Sequence, residues 1–140
     1  MNRHINVITS TNNQNIWSIQ ADGYYRRNVE RQMLKDDMSQ DAVDNVFNNA
    51  ARILQHCPNP YAVENNSKTG IVIGKVQSGK TSNFISVLSL AFDNNYNVAI
   101  VLGGNTLELL KQNASRISSA FNVDPEKLTV LKTNDKRKEV

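Results

Sequence analysis

Residues 70–84 read GIVIGKVQSGKTSNF, and no other stretch restricts the fold of this chain as much. Ile71, Val72 and Ile73 are apolar in succession, without the alternation of a strand that turns one face to water. They predict a strand covered on both sides. Gly74, Lys75, Val76, Gln77, Ser78, Gly79, Lys80 and Thr81 follow with the spacing GxxxxGK[ST]. A helical pattern comes next, carried by Phe84, Ile85, Val87, Leu88, Ala91 and Phe92, and Asn94 and Asn95 suit the left-handed turn that ends a helix. Strand, glycine loop and helix in this order form a phosphate loop. The glycines let successive backbone N–H groups curl around an anion, and the helix start adds the positive end of its dipole. Lys80 would bring a charge to the terminal phosphates and the Thr81 hydroxyl would ligate Mg2+. The plainer alternative is a tight turn shaped by Gly74 and Gly79, with Lys80 a solvated surface lysine.

The segments on either side extend the pattern. Residues 98–102 read as a second apolar strand closed by Gly103 and Gly104. Asn105 then has Glu108 at the spacing of a capping box, ahead of a stripe made by Leu107, Leu110, Ala114, Ile117 and Phe121. Asp124 and Pro125 mark a turn before a third strand over residues 128–131. Strands that alternate with helices and do not alternate internally predict a parallel sheet with both faces covered. The expected fold is therefore α/β, a P-loop NTPase-like three-layer sandwich, present in part, behind a small helical segment. That segment, residues 1–60, holds a charged helix over 26–38 with Val29, Met33 and Leu34 on one side. A second helix is capped by Ser39, with Val43, Val46, Phe47, Ala50, Ile53 and Leu54 at spacings of three and four. Pro58 and Pro60 stop it, and residues 61–140 form the front part of the nucleotide-binding domain. The first twenty residues show no period.

Composition narrows the classes of function. Of 140 residues 39% are hydrophobic and 21% charged, enough for a packed core. A net charge of +3 permits contact with nucleic acid without arguing for it. The single cysteine, Cys57, excludes an internal disulfide framework and a multi-cysteine zinc site. The first residues lack the apolar core of a secretory signal, and no run approaches the roughly 20 apolar residues of a membrane span. A cytoplasmic protein is the expectation.

Residues 70–117 resemble the first part of the motor domain of superfamily-two helicases and translocases, and among them the Z-one endonuclease domain of bacterial restriction and defence proteins. The shared features are Val76, Gln77 and Ser78 inside the loop, Asn83 two residues after Thr81, the stretch NYNVAIVLGG, and the segment from Gln112 to Arg116. The residues NTLELLKQ are also similar to the PTRELAxQ segment of these helicases, agreeing at Thr106, Glu108, Leu109 and Gln112 and departing at Asn105 and Leu107. The resemblance implies ATP and Mg2+ as ligands and DNA as the partner of the full-length protein, with Asn105 and Thr106 as candidates for touching a nucleic-acid backbone. An ordinary capped amphipathic helix accounts for the same residues without any ligand. The resemblance also offers Gln55 as an adenine-reading amide, against the simpler reading of a helix-end side chain.

A hydrolysing motor needs an acidic residue at the end of a further apolar strand, to hold Mg2+ and orient water. No apolar run followed by Asp-Glu or Asp-Asp occurs after Thr81, and Asp135 stands behind Lys132, Thr133 and Asn134. The chain thus reads as the ATP-binding front of a helicase-like or restriction-endonuclease-type DNA motor. Its site would be completed by a missing C-terminal part or by a partner chain. The alternatives are a small-molecule kinase, for which no arginine pair in a lid segment is evident, and a nucleotide-dependent regulatory or interaction module. His56 and Cys57 lack companions for a metal site, Tyr24, Tyr25, Arg26 and Arg27 make a thin case for base stacking, and the basic end of the chain reads as a solvated tail.

Apolar strands without their neighbours leave unpaired edges. The 140-residue chain on its own is therefore expected to be marginally stable and to self-associate. A sharp, concentration-independent thermal transition from a monomer in ultracentrifugation would contradict this.

Overall fold

The computed structural model describes residues 16–63, 67–73, 79–102 and 106–122. Four helices account for its regular structure: α1 (Tyr24–Lys35), α2 (Gln40–Gln55), α3 (Lys80–Asp93) and α4 (Leu107–Phe121). Each has a sequence cause. In α2, Ser39 is the N-cap and its hydroxyl accepts from the Ala42 N–H, Asp41 stands in the first turn, and the buried side chains Val43, Phe47, Ala50 and Leu54 recur at helical spacing. α3 ends at Asn94, and Asn95 takes the left-handed conformation, φ 68°, that its short polar side chain tolerates. α4 is capped by Thr106, whose hydroxyl accepts from the Leu109 N–H, and ends on Asn122 in the left-handed region.

α3 is the central element, packed on α1, α2 and α4. The core combines Val29 and Met33 of α1, Val43, Phe47, Ala50 and Leu54 of α2, Ile85, Leu90 and Ala91 of α3, and Ala120 and Phe121 of α4. Trp17, ahead of the first helix, joins this core and donates its indole N–H to the Cys57 carbonyl at 3.0 Å. An aromatic cluster of Tyr25, Phe92 and Phe121, with ring centres 5.5 to 6.1 Å apart, closes one end of the bundle. Among the described residues no helix is long and apolar enough to cross a membrane.

The α/β sandwich expected from the sequence is not what forms. Among the described residues there is no strand, hence no sheet. The apolar runs at 71–73 and 98–102 lie in water instead. Ile71 is 70% exposed, Ile100 82% and Leu102 94%, values that no strand of a covered parallel sheet would show. Among the described residues the four helices close the core on one another, and none of them covers those short runs. An unalternating run of three to five apolar residues signals burial only where covering elements exist. The third expected strand, residues 128–131, and the glycines at 103 and 104 lie outside the described residues. Self-association loses its sheet-edge motive and rests on the apolar surface these runs expose.

α1 begins two residues earlier than its own pattern suggests, because its cap comes from elsewhere in the chain. The N-cap residue Gly23 has no side chain, and no acidic residue stands in the first turn. The carboxylate of Asp93, at the end of α3, accepts from the N–H groups of Tyr25 at 3.0 Å and Arg26 at 2.8 Å. Gly23 has an extended backbone that any residue adopts; it is glycine because a Cβ there would fall on the Asp93 carboxylate. Gly23→Ala should destabilise the protein by about 1–3 kcal/mol through overpacking, and Asp93→Ala by about 1–2 kcal/mol through the lost cap. The two should not add, since removing the carboxylate makes room for the methyl group. Urea unfolding of both single variants and the double variant measures this; strict additivity would show that the two residues do not share one site.

Candidate functional site

Of the loop read from the sequence, residues 74–78 (Gly74, Lys75, Val76, Gln77 and Ser78) lie outside the described residues; Gly79, Lys80 and Thr81 are seen. Gly79 is the N-cap of α3 with φ 72°, a left-handed conformation that is free for glycine and strained for side chains with a branched Cβ. The N-cap residue is a glycine with no side chain of its own, no acidic residue stands in the first turn, and the N-terminal end of α3 carries the positive side of the helix dipole. Asn83, one turn on, donates its amide Nδ2 to the Gly79 carbonyl at 3.1 Å and braces the glycine from beneath. Its Oδ1 is buried and, among the described residues, has no hydrogen-bond partner, and the same holds for the Ser86 hydroxyl.

Thr81 is not isolated. Arg116, on the exposed side of α4, reaches across and donates from Nη1 to the Thr81 hydroxyl oxygen at 3.2 Å. The two residues share a concave surface of about 680 Å3 into which three helices deliver polar groups. α3 supplies Gly79, Lys80, Thr81 and Ser82; α4 supplies Ser115, Arg116 and Ser119; α1 and the residue after it supply Gln32 and Asp36. Val29, Met33, Met38, Ile85 and Ala120 form its apolar part. A volume of this size suits a small-molecule ligand. The chemistry of the lining, two cationic side chains and hydroxyl donors at a helix N-terminus, suits an anion with several oxygens.

Sequence reasoning singled out Lys80 and Thr81 but gave Arg116 no role beyond its membership of a shared segment. It also missed Asp36 and Gln32, which share no motif with the loop and meet it only through the packing of α1 on α3. Asp36 accepts from the Gln32 amide at 2.9 Å, so this carboxylate is held at the rim.

The remaining candidates fall elsewhere. Asn105 lies outside the described residues; Thr106 is the observed N-cap of α4, in place of the capping box expected from Asn105 and Glu108. Both residues are competent caps, and which one serves depends on where the chain turns. Tyr25 is engaged by Phe92 and Phe121, and Arg26 pairs with Glu30 at 2.8 Å and lies over the Phe47 ring, so neither is set up to stack on bases. His56 is bonded through Nδ1 to the Arg52 carbonyl. Burial pushes the Cys57 thiol above its ordinary range, with nearby Lys68 opposing in part, which keeps it protonated and non-nucleophilic at neutral pH. The Tyr96 hydroxyl, which donates to the Pro58 carbonyl, is likewise raised by burial and then by Cys57. Among the described residues no group of His, Cys, Asp and Glu could hold a metal ion by itself. The chain matches no family model, no curated protein and no solved structure.

Proposed function

We propose that this chain binds the polyphosphate of a nucleoside triphosphate, ATP with Mg2+, at the N-terminus of α3. In this reading it is the ATP-binding front of a helicase-like or restriction-endonuclease-type DNA motor that acts in the cytoplasm. The observation that carries the reading is the meeting of Lys80, Thr81 and Arg116 at the N-terminus of α3, inside one concave surface. Phosphate recognition at such a place needs a helix end and cations, and neither depends on a β-sheet. Lys80 contacts the terminal phosphates and Thr81 offers its hydroxyl to Mg2+, which also keeps several waters and phosphate oxygens as ligands. The residue pattern GxxxxGKT supports a nucleotide over a simple anion, because a loop of that length ahead of the helix wraps more than one phosphate. The motor and DNA parts rest on the sequence resemblance, including Asn105 and Thr106 at the start of α4.

Isothermal titration should detect weak binding of Mg2+-ATP, reduced at least about tenfold by Lys80→Ala as a charge-assisted contact is lost. Circular dichroism should be unchanged in that variant, since Lys80 is exposed. Gly79→Val should lose binding and also strain the backbone. Among the described residues a Cβ at this position meets no neighbour within 4 Å, and the strain there comes from φ. Hydrolysis should stay at the buffer rate, because no apolar run followed by Asp-Glu or Asp-Asp occurs after Thr81. Unchanged affinity in Lys80→Ala, or loss of its helical fold, would remove the site assignment.

A further inference from the structure

The bond between Arg116 and Thr81 joins a cation to the one hydroxyl that the nucleotide reading reserves for Mg2+. A hydroxyl oxygen has two lone pairs, so geometry alone would let it accept from Arg116 and ligate a metal together. Electrostatics does not. Mg2+ sits about 2.1 Å from its ligand oxygen, and Arg116 Nη1 is 3.2 Å from the same oxygen. The two cations would then be no more than about 5 Å apart, where a divalent and a monovalent charge repel strongly even at an exposed site. That repulsion favours release of the guanidinium when the metal arrives. Lys80 lines the same concave surface, where phosphate oxygens would present the planar acceptor pairs that arginine binds in bidentate fashion.

We propose that Arg116 is a phosphate-binding residue of this site, delivered by α4. Its bond to Thr81 is the resting arrangement, given up for phosphate when Mg2+ takes the hydroxyl. The inference rests on the triphosphate reading of the site and adds a ligand contact that the GxxxxGKT pattern does not contain. It makes Arg116 and Mg2+ alternatives at Thr81 and partners around the phosphate. It also explains why an exposed arginine on α4 is turned toward α3.

The test titrates inorganic tripolyphosphate and ATP, each with and without Mg2+, into the wild-type chain and the variants Arg116→Ala, Arg116→Lys, Thr81→Val and Lys80→Ala. Helicity is checked by circular dichroism throughout. Arg116→Ala should weaken binding of both ligands about tenfold to a hundredfold, the range of a charge-assisted hydrogen bond, and should flatten the salt dependence. Arg116→Lys should recover part of the loss, because the charge returns without the bidentate fork. Thr81→Val should weaken the Mg2+ complexes about tenfold while leaving metal-free tripolyphosphate binding as tight as in the wild type or tighter, since Arg116 is then released. If Lys80→Ala loses binding and Arg116→Ala does not, Arg116 is no ligand contact and the inference is overturned while the site stands. If Thr81→Val weakens metal-free and metal-bound complexes alike, the exchange at the hydroxyl is overturned. If the wild-type chain binds neither ligand, the triphosphate reading falls and this inference with it.

Discussion

The arrangement depends on the two residues at the end of α3. Asp93 gives its carboxylate to the first N–H groups of α1, and Asn94, almost fully buried, accepts from the Gln20 N–H at 2.7 Å and returns its Nδ2 to the Gln20 carbonyl at 2.9 Å. Asn94 therefore treats the extended chain ahead of α1 as a neighbouring strand would, with one donor and one acceptor. Asp93 meets the positive end of the α1 dipole and satisfies N–H groups that Gly23 has no side chain to reach. These bonds hold the entry of α1 against the exit of α3, and from there α1 lays Val29 and Met33 into the core. They also fix the other end of α1, which is why Gln32 and Asp36 arrive at the rim of the concave surface around the α3 N-terminus. A clamp at one end of α3 thus sets the surroundings of the candidate site at the other.

The helices were legible where their determinants are local. α2 could be read almost in full because Ser39, Asp41 and the apolar spacing all lie within it. α1 could be read as a helix but not at its start, since its cap sits far down the chain at Asp93. Trp17 could not be read as core, because one aromatic residue in a polar stretch has no period; only its bond to the Cys57 carbonyl and its packing reveal it. The strands failed for a different reason. Ile71, Val72 and Ile73 have high strand propensity, but propensity of this kind expresses fit to a half-buried or buried sheet. Without covering layers among the described residues, the same side chains stand in solvent.

The candidate site was legible in its loop and not in its walls. Gly79, Lys80 and Thr81 announce themselves through fixed spacing, since a phosphate loop is a local device. Arg116, Gln32 and Asp36 belong to other helices, and nothing in their own neighbourhoods marks them as companions of Thr81. Local motifs state what a segment can bind, whereas tertiary packing decides what else touches the ligand.

The geometry of α3 and α4 shows why that companion has to be a long side chain. The two helices touch through Phe92 and Phe121, with ring centres 5.7 Å apart, and again through Thr81 and Arg116. From Thr81 to Phe92 the axis of α3 rises about 16 Å, while from Arg116 to Phe121 the axis of α4 rises only about 7–8 Å. Starting from the aromatic contact, α4 has thus covered about half the distance along its own axis that α3 has. Arg116 makes up the remainder with its side chain, leaning toward the start of α3 as helical side chains lean toward the N-terminus of their own helix. A shorter polar residue at 116 would stop short of Thr81. The aromatic cluster of Tyr25, Phe92 and Phe121 ties the last turns of α3 and α4 to each other and to the first turn of α1. The reach of one arginine and the packing of three rings therefore decide together what stands opposite the α3 N-terminus.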